Sequence, residues 1–305
     1  MKAERILGAL YGQALGDAMG MPSELWPRTR VKAHFGWIDR FLPGPAENNA
    51  ACYFNQAEFT DDTSMALCLA DALLECDGEI VPDVIGRNIL AWAERFDAFN
   101  KNVLGPTSKI ALKAIRDGKP VAELENNGVT NGAAMRVSPC GFAASSLEEA
   151  KILSKIVTEV THNHPEGIKG AEATTAAIYL ARKGKSISEI RDHIDKHYYP
   201  MNFTLDQIRP AYTFNETCQK TVPQAIMSFL ESTGFEDAVR NAVSLGGDSD
   251  TLGAITGSIA EAYYGIPADI RECALPYLDK RLSAILNAFE SRYKRVKRKR
   301  TTTGD

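Results

Sequence analysis

Two short acidic motifs lie far apart in the sequence, and each stands directly before a helical pattern of apolar residues. Residues Phe59–Thr63 read Phe-Thr-Asp-Asp-Thr, and residues Gly246–Thr251 read Gly-Gly-Asp-Ser-Asp-Thr. Thr and Asp cap helix N-termini, where their oxygens accept hydrogen bonds from exposed N–H groups. One such residue is enough for a cap, yet each motif holds a pair of closely spaced carboxylates. For the first motif alone, a cap and a cation site explain the pattern equally well, and the second motif favours the cation site.

A hard divalent cation would compensate the repulsion between these carboxylates. If the two helix starts face one another, they form a donor set of oxygens alone, which suits Mg²⁺ or Mn²⁺ rather than zinc. Four carboxylates suffice for two ions, and such a pair can activate a water or polarise substrate oxygens. An EF-hand is excluded because a helix follows the second motif at once. The predicted metal ligands are Thr60, Asp61, Asp62, Asp248, Asp250 and Thr251.

The elements that must position these motifs are helices, because apolar residues recur at helical spacing and strand-like alternation is scarce. The sequence therefore predicts an all-α protein. Turn-forming pairs separate the helices and no low-complexity linker divides the chain, so we expect one domain over residues 1–295 and a basic, disordered tail over 296–305. The predicted helices are Ile6–Met21, Asp62–Glu75, Val84–Phe96, Leu147–Val160, Gly170–Lys183, Val222–Glu231, Phe235–Ser244, Leu252–Tyr264 and Pro276–Lys294.

The first predicted helix carries a stripe of glycines at positions 8, 12, 16 and 20, which fall on one helix face. Each glycine weakens a helix by about 1 kcal/mol relative to alanine, so several in register indicate that another backbone packs very closely there. Small residues at Gly253 and Gly257 mark the helix after Asp250 as a second candidate for the centre of the fold. The stripe is not a dinucleotide-binding fingerprint, because no strand precedes it.

Composition excludes several classes of protein. With 305 residues, 44% hydrophobic and 24% charged, the chain has the make-up of a soluble globular protein. Its net charge of -4 gives no positive field for nucleic acid or an anionic membrane, and we interpret the basic run Arg292–Arg300 as a solvated helix end. The six cysteines form no CxxC pair, and neither a leader nor an apolar run of spanning length occurs. We therefore expect a cytoplasmic protein with reduced thiols.

Five motifs in a fixed order resemble the ADP-ribosylglycohydrolase family, over roughly residues 5 to 290. They are the glycine helix Gly8–Gly20 with Pro22 and Glu24, the two acidic motifs, Asn131–Arg136 and Thr161–Pro165. The resemblance implies a compact, orthogonal bundle of many helices around a central dinuclear Mg²⁺ or Mn²⁺ site. It also implies an activity, the hydrolysis of the bond between C1″ of ADP-ribose and an acceptor.

The resemblance implies roles for single acidic residues as well. The six predicted ligands match the family's metal ligands. Glu24 matches the family's mobile acidic residue, which lies near the scissile bond and outside the metal core, although by sequence alone it would be an ordinary exposed residue. Asp61 and Asp62 are the further candidate catalytic carboxylates. Asp17, inside the glycine helix, matches a family position and would orient its neighbours.

The loop Asn131–Arg136 matches the family's loop for the phosphates and the proximal ribose. Small residues let backbone N–H groups approach an anion, although Asn-Gly alone is a common turn. The family usually has a glycine before the Asn, where this chain has Thr130. We expect His162 to pack or to cap a helix. The predicted ligand-binding residues are Asn131, Gly132, Ala133, Met135 and His164.

Two other functions are compatible with these residues. Two-metal carboxylate sites also serve phosphoester and pyrophosphate hydrolases, and a relative on the same fold can bind without catalysis. Retention of every presumed ligand argues against the second alternative. We expect two divalent cations as cofactors and an ADP-ribosylated protein or a small-molecule ADP-ribose conjugate as partner, with no membrane, no nucleic acid and a monomeric chain. The sequence leaves the acceptor open.

Overall fold

The computed structural model describes residues 10–76, 80–101, 103–274 and 280–301, and these residues form an all-α protein, as the sequence predicts. Short 3₁₀ turns cover Met21–Ser23, Val121–Glu123 and Asn131–Ala133. The α-helices are α1 (Tyr11–Gly20), α2 (Arg28–Phe35), α3 (Asp61–Glu75), α4 (Pro82–Arg95), α5 (Pro106–Arg116), α6 (Ser138–Ala143), α7 (Leu147–Glu159), α8 (Pro165–Arg182), α9 (Ile187–His197), α10 (Leu205–Ile208), α11 (Cys218–Leu230), α12 (Phe235–Val243), α13 (Ser249–Tyr264), α14 (Ala268–Ala274) and α15 (Lys280–Thr301).

Every predicted helix overlaps an observed one, although residues 6–9 and 276–279 lie outside the described part of the chain. The sequence analysis missed α2, α5, α6, α9, α10 and α14. A capping box could have revealed α9, because Ser186 and Glu189 exchange hydrogen bonds at its start. By contrast, α2 has almost no apolar face, since only Val31 is buried. Helix α15 runs to Thr301, into the stretch expected to be a disordered tail, and residues 302–305 lie outside the described residues.

Helices α1 and α13 lie at the centre of the fold and pack against each other through their glycines. Nearly all of α1 is buried, and so is α13 up to its last two residues. A Cβ added at Gly16 would overlap the backbone carbonyl of Gly253, and one added at Gly12 would overlap that of Gly257. The close backbone approach that the glycine stripe predicts is confirmed for these positions, while Gly8 lies outside the described residues.

Three hydrophobic clusters occur among the described residues. The largest joins α1 and α13 to α8, α11 and α12, the second includes residues of α3, α4 and α5, and a small third one consists of Met21, Ala51 and Phe54. Within the described ranges, no helix is both long enough and apolar enough to cross a membrane. Within the described residues, the cysteines that form no disulfide bond are Cys52, Cys68, Cys76, Cys140 and Cys218.

A buried carboxyl group on α13 caps the N-terminus of α1. Glu261 is 2% exposed, and its Oε2 accepts a hydrogen bond from the N–H of Gly12 at 2.7 Å. At the N-cap position of α1 itself, Leu10 has no capping side chain. Burial raises the pKa of Glu261 well above its ordinary value, and the neighbouring Glu290 adds to the rise. The folded protein therefore holds a proton on Glu261 at pH values where the unfolded chain has released it.

Gly16→Ala should destabilise the protein strongly, because the new Cβ would overlap a backbone carbonyl that no side-chain rotation can move. We expect a loss of about 3 kcal/mol in the free energy of unfolding, the upper end of the usual cost of overpacking. Gly234→Ala is the control, since the space around Gly234 is open and its φ of -175° suits any residue. Urea denaturation measures both variants, and equal stability of the two would contradict the close packing of α1 against α13.

Glu261→Gln tests the buried proton. A carboxyl group whose pKa is raised by folding contributes stability at low pH, and this contribution is lost as the pH rises. Since glutamine does not ionise, the variant should gain stability relative to the wild type between about pH 5 and pH 8. Urea denaturation across this range measures the difference, with the exposed Glu125→Gln as control. A difference that stays constant with pH would contradict a protonated Glu261.

Candidate active site

The N-terminus of α3 is held by a carboxylate from α1. Asp17 is fully buried, and its Oδ1 accepts a hydrogen bond from the N–H of Thr60 at 2.9 Å. Its Oδ2 accepts from the N–H and the hydroxyl of Thr63 at 3.0 Å and 2.6 Å. Burial raises the pKa of Asp17 to about 6, although these hydrogen bonds oppose the rise. Asp61 and Asp62, in the first turn of α3, are thereby fixed at a defined place in the core.

The N-terminus of α13 follows a tight turn through two glycines. Gly246 and Gly247 have φ values of 72° and 73°, in the left-handed region that favours glycine. The N–H of Gly247 donates to the carbonyl of Trp26 at 2.8 Å, and its carbonyl accepts from the N–H of Leu25 at 2.7 Å. These two bonds tie the segment after α1 to the turn, and Glu24 is thereby held beside the first turn of α13.

Both acidic helix starts line one cavity, whose volume is about 110 Å³. Carboxylate oxygens of Glu24, Asp248 and Asp250 lie within 4.8 Å of one another. Asp61 and Asp62 line the same cavity from α3. The two motifs, far apart in the sequence, therefore meet at one place.

The surroundings of Glu24 differ from the sequence-based expectation, and Thr60 serves as a helix cap. Glu24, expected outside the metal core, lies within the carboxylate group that it forms with Asp248 and Asp250, because the Gly247 turn pulls its segment inward. Thr60 is absent from the described cavity lining, whereas Thr251 belongs to it. The Thr60 hydroxyl instead lies 3.3 Å from Asp62 Oδ2 and caps α3.

The cavity contains buried carboxylate oxygens that find no partner. Asp62 Oδ1 and Asp250 Oδ1 make no hydrogen bond within the described residues, and such burial is costly. Burial raises the pKa of Asp61 to about 7. Burial together with neighbouring carboxylates raises the pKa values of Asp62 and Asp250 well above their ordinary range. A hard divalent cation accepts oxygen donors alone and offsets this repulsion, so the residues fit a divalent-cation site.

The loop that begins at Asn131 forms a further part of the cavity. Asn131 Nδ2 donates to Asp248 Oδ2 at 2.5 Å, and the Asn131 N–H donates to the carbonyl of Glu216 at 2.7 Å. A Cβ added at Gly132 would lie 2.9 Å from the His162 ring, so only glycine fits there without a shift. The predicted binding residues that line the cavity are Asn131, Gly132 and Met135.

The other two predicted binding residues do not belong to the described cavity lining. Ala133 is fully buried, and His164 is the N-cap of α8, where its Nδ1 accepts a hydrogen bond from the N–H of Glu166 at 3.1 Å. His162, expected to pack or to cap, is packed at 1% exposure and also belongs to the cavity lining. The helix start explains the difference, because α8 begins at Pro165 and uses the residue before it as its cap.

His162 is held between two threonine hydroxyls. It is 1% exposed, with Nδ1 2.8 Å from Thr161 Oγ1 and Nε2 2.7 Å from Thr130 Oγ1. The fully buried Arg136 donates from Nη1 to Thr161 Oγ1 at 3.1 Å. Burial lowers the pKa of His162 well below its ordinary value, and the charge of Arg136 lowers it further. The imidazole is therefore neutral.

The sequence patterns do not predict the cavity residues that come from loops and from the first turn of α5. They carry no motif, because the segments to which they belong meet only in the folded chain. The one local signal, a Gly-Pro pair before α5, indicated a turn and nothing more. The missed lining residues are Val103, Gly105, Ser108, Thr130, Phe214 and Glu216.

The fold and the site define a class of all-helical proteins in which two helix N-termini meet at an acidic centre beside a glycine-containing loop. The ADP-ribosylglycohydrolase family model matches residues 1–297. The chain belongs to the ADP-ribosylglycohydrolase family.

Similar proteins agree with this assignment. The chain is 55% identical to the uncharacterized protein YegU of Escherichia coli (strain K12), over 88% of this chain and 90% of that protein. It is 28% identical to the ADP-ribosylarginine hydrolase Tri1 of Pseudomonas putida (strain GB-1), over 86% of this chain and 71% of that protein. A solved structure of an ADP-ribosylglycohydrolase-related protein complex matches with a TM-score of 0.73 and 26% identity, over 95% of this chain and 97% of that one. Family and relatives indicate an ADP-ribosyl hydrolase.

Asp17→Asn should loosen the start of α3. Asparagine keeps the size of the side chain. Its NH₂ group, however, replaces one of the two carboxylate oxygens that accept hydrogen bonds from the N–H groups of Thr60 and Thr63. Near neutral pH we expect the free energy of unfolding to fall by about 2 to 3 kcal/mol, the scale of hydrogen bonds to a charged group. The exposed Asp192→Asn on α9 is the control, with a change within about 0.5 kcal/mol. Urea denaturation decides, and wild-type stability of Asp17→Asn would remove Asp17 as the support of α3.

Proposed function

We propose that this chain hydrolyses the glycosidic bond between C1″ of ADP-ribose and an acceptor, with divalent cations held by the acidic residues at the starts of α3 and α13. The observation that carries the proposal is the pair of unpartnered buried oxygens, Asp62 Oδ1 and Asp250 Oδ1, in a cavity also lined by Gly132. The cavity combines acidic residues that fit divalent cations with a glycine-containing loop whose backbone an anion can approach. This combination suits a ligand that carries both ribose hydroxyls and phosphates.

The proposed cations are two Mg²⁺ or Mn²⁺ ions. When bound, such ions supply Lewis acidity to ribose hydroxyls and to water. Asn131 holds the carboxylate of Asp248 in place, and the Thr60 cap does the same for Asp62. The proposed ligands are Thr60, Asp61, Asp62, Asp248, Asp250 and Thr251.

The proposed phosphate and ribose contacts come from the loop around Gly132. Among the described residues, the Gly132 N–H donates no backbone hydrogen bond, so it is available to an anion. Asn131 is occupied by Asp248 and Glu216, so its part is to fix the loop. His162, rather than His164, is the histidine that lies against this loop.

Glu24 is the proposed carrier of protons. In the hydrolysis, the oxygen of water forms a bond to C1″ and the bond from C1″ to the acceptor atom breaks. Glu24 takes a proton from the water and delivers a proton to the departing acceptor atom. In the protein without cations, burial raises the pKa of Glu24 well above its ordinary value, and the charges of Asp248 and Asp61 raise it further.

Incubation with defined conjugates tests the proposal. The cation-loaded protein is mixed with ADP-ribose linked to arginine, to serine and to acetate, and the products are identified by mass spectrometry. Free ADP-ribose is expected from at least one conjugate, and a chelator should abolish it. AMP together with ribose phosphate would show a pyrophosphate hydrolase instead. A folded, cation-loaded protein that releases nothing from any conjugate would contradict the proposal.

Glu24→Gln separates proton transfer from binding. The variant should keep its ADP-ribose affinity and its bound cations, yet lose roughly 10²- to 10⁴-fold in turnover, the usual scale of general acid–base catalysis. Turnover, cation content and calorimetric ADP-ribose binding are measured together, with Glu125→Gln as an exposed control. Wild-type turnover would remove Glu24 from the chemistry. Loss of cations together with turnover would make Glu24 a metal ligand instead.

A further inference from the structure

Thr130 lines the cavity at the position where the family pattern has glycine, and its side chain carries a hydroxyl. Its backbone is fixed by its neighbours, because Thr130 and Thr217 form an isolated bridge and the N–H of Cys218 donates to the carbonyl of Val129 at 3.0 Å. Cys218 Sγ also donates to the carbonyl of Thr130 at 3.3 Å. The side chain is therefore held in place from behind, and it lines the same cavity as Gly132.

Arg136 sets the direction of the hydrogen bonds that lead to Thr130. A guanidinium group only donates, so Thr161 Oγ1 accepts from Arg136 Nη1 at 3.1 Å. Because Thr161 is 1% exposed, its hydroxyl proton needs a buried acceptor, and within the described residues its other hydrogen-bond partner is His162 Nδ1 at 2.8 Å. His162 therefore accepts at Nδ1.

The hydrogen bond that His162 accepts at Nδ1 determines which of its ring nitrogens carries the proton. A neutral imidazole carries a single N–H, and since Nδ1 accepts, that proton lies on Nε2. Nε2 donates it to Thr130 Oγ1 at 2.7 Å. The Thr130 hydroxyl thus receives one hydrogen bond and keeps its own proton. Among the described residues no acceptor for that proton occurs, so it is available to a ligand in the cavity.

We propose that Thr130 is a ligand-binding residue whose hydroxyl donates a hydrogen bond to a phosphate oxygen of ADP-ribose, an inference that rests on the proposed function. The surroundings of Thr130 favour a ligand group that only accepts hydrogen bonds. The Gly132 N–H is a hydrogen-bond donor, and the positively charged Arg136 lies next to Gly132. Thr161 and His162 are positioning residues, since they act through Thr130. A family member with glycine here lacks this donor.

Thr130→Val and Thr130→Ser form the matched pair that tests the contact. Valine keeps the shape and removes the hydroxyl, so ADP-ribose should bind about tenfold more weakly, the scale of a hydrogen bond to a charged group. Serine keeps the hydroxyl and should bind within about twofold of the wild type. ADP retains both phosphates but lacks the distal ribose, so its affinity should fall by the same factor in Thr130→Val. Thermal melting confirms that all three proteins are folded.

Three calorimetric outcomes would overturn the inference. Equal ADP-ribose binding by wild type and Thr130→Val removes Thr130 as a binding residue while the proposed function stands. If Thr130→Val loses affinity for ADP-ribose but not for ADP, the contact is with the distal ribose and not with a phosphate. Failure of the folded, cation-loaded wild type to bind ADP-ribose overturns the proposed function, and the role of Thr130 falls with it.

The direction of the hydrogen bonds has a readout that needs no ligand. In protein with ¹⁵N-labelled histidine, NMR near neutral pH should show His162 with a proton on Nε2 and none on Nδ1. Thr130→Val removes the acceptor of that Nε2 proton, so the Nε2 resonance should shift in the variant, whereas Thr130→Ser should restore it. A proton on Nδ1 in the wild type would reverse the direction, make the Thr130 hydroxyl a donor to His162 and overturn the inference.

Discussion

The backbone contact between α1 and α13 is the constraint on which the site depends. Glycine carbonyls of one helix lie where side chains of the other would begin, so the two helices have a fixed separation and register. Gln13 then extends this control, because its Nε2 donates to the carbonyls of Asp62 at 2.9 Å and Met135 at 2.8 Å. One helix thus positions the start of α3, the start of α13 and the loop beside them.

The electrostatic interactions within the acidic site are unfavourable when no cation is bound. Several carboxylates share one small cavity, and in the absence of cations their burial and mutual repulsion favour protonation. Helix N-termini offset part of this cost through their dipoles, and Asp17 offsets more by satisfying the backbone of α3. A bound cation would offset much of the remainder, so cation binding would be coupled to folding in this protein. The repulsion between these carboxylates would then supply part of the affinity for a hard cation.

Local patterns in the sequence predicted the parts of the site that are local in the fold. The acidic motifs and the glycine stripe each belong to one helix, and their residue types follow from the start or the face of that helix. The chain of hydrogen bonds from Arg136 to Thr130 joins segments that meet only after folding, so no spacing reveals it. His162 and His164 show the same limit, because both precede α8 and only the structure shows which one caps it.

Calorimetric titration of the chelator-treated protein with Mn²⁺ tests whether the starts of α3 and α13 together hold divalent cations. The wild type is compared with Asp62→Asn and Asp250→Asn, one from each helix start, after thermal melting has shown that both variants are folded. Each substitution is expected to remove a bound ion or to weaken Mn²⁺ binding at least tenfold. Unchanged stoichiometry and affinity in both variants would contradict it.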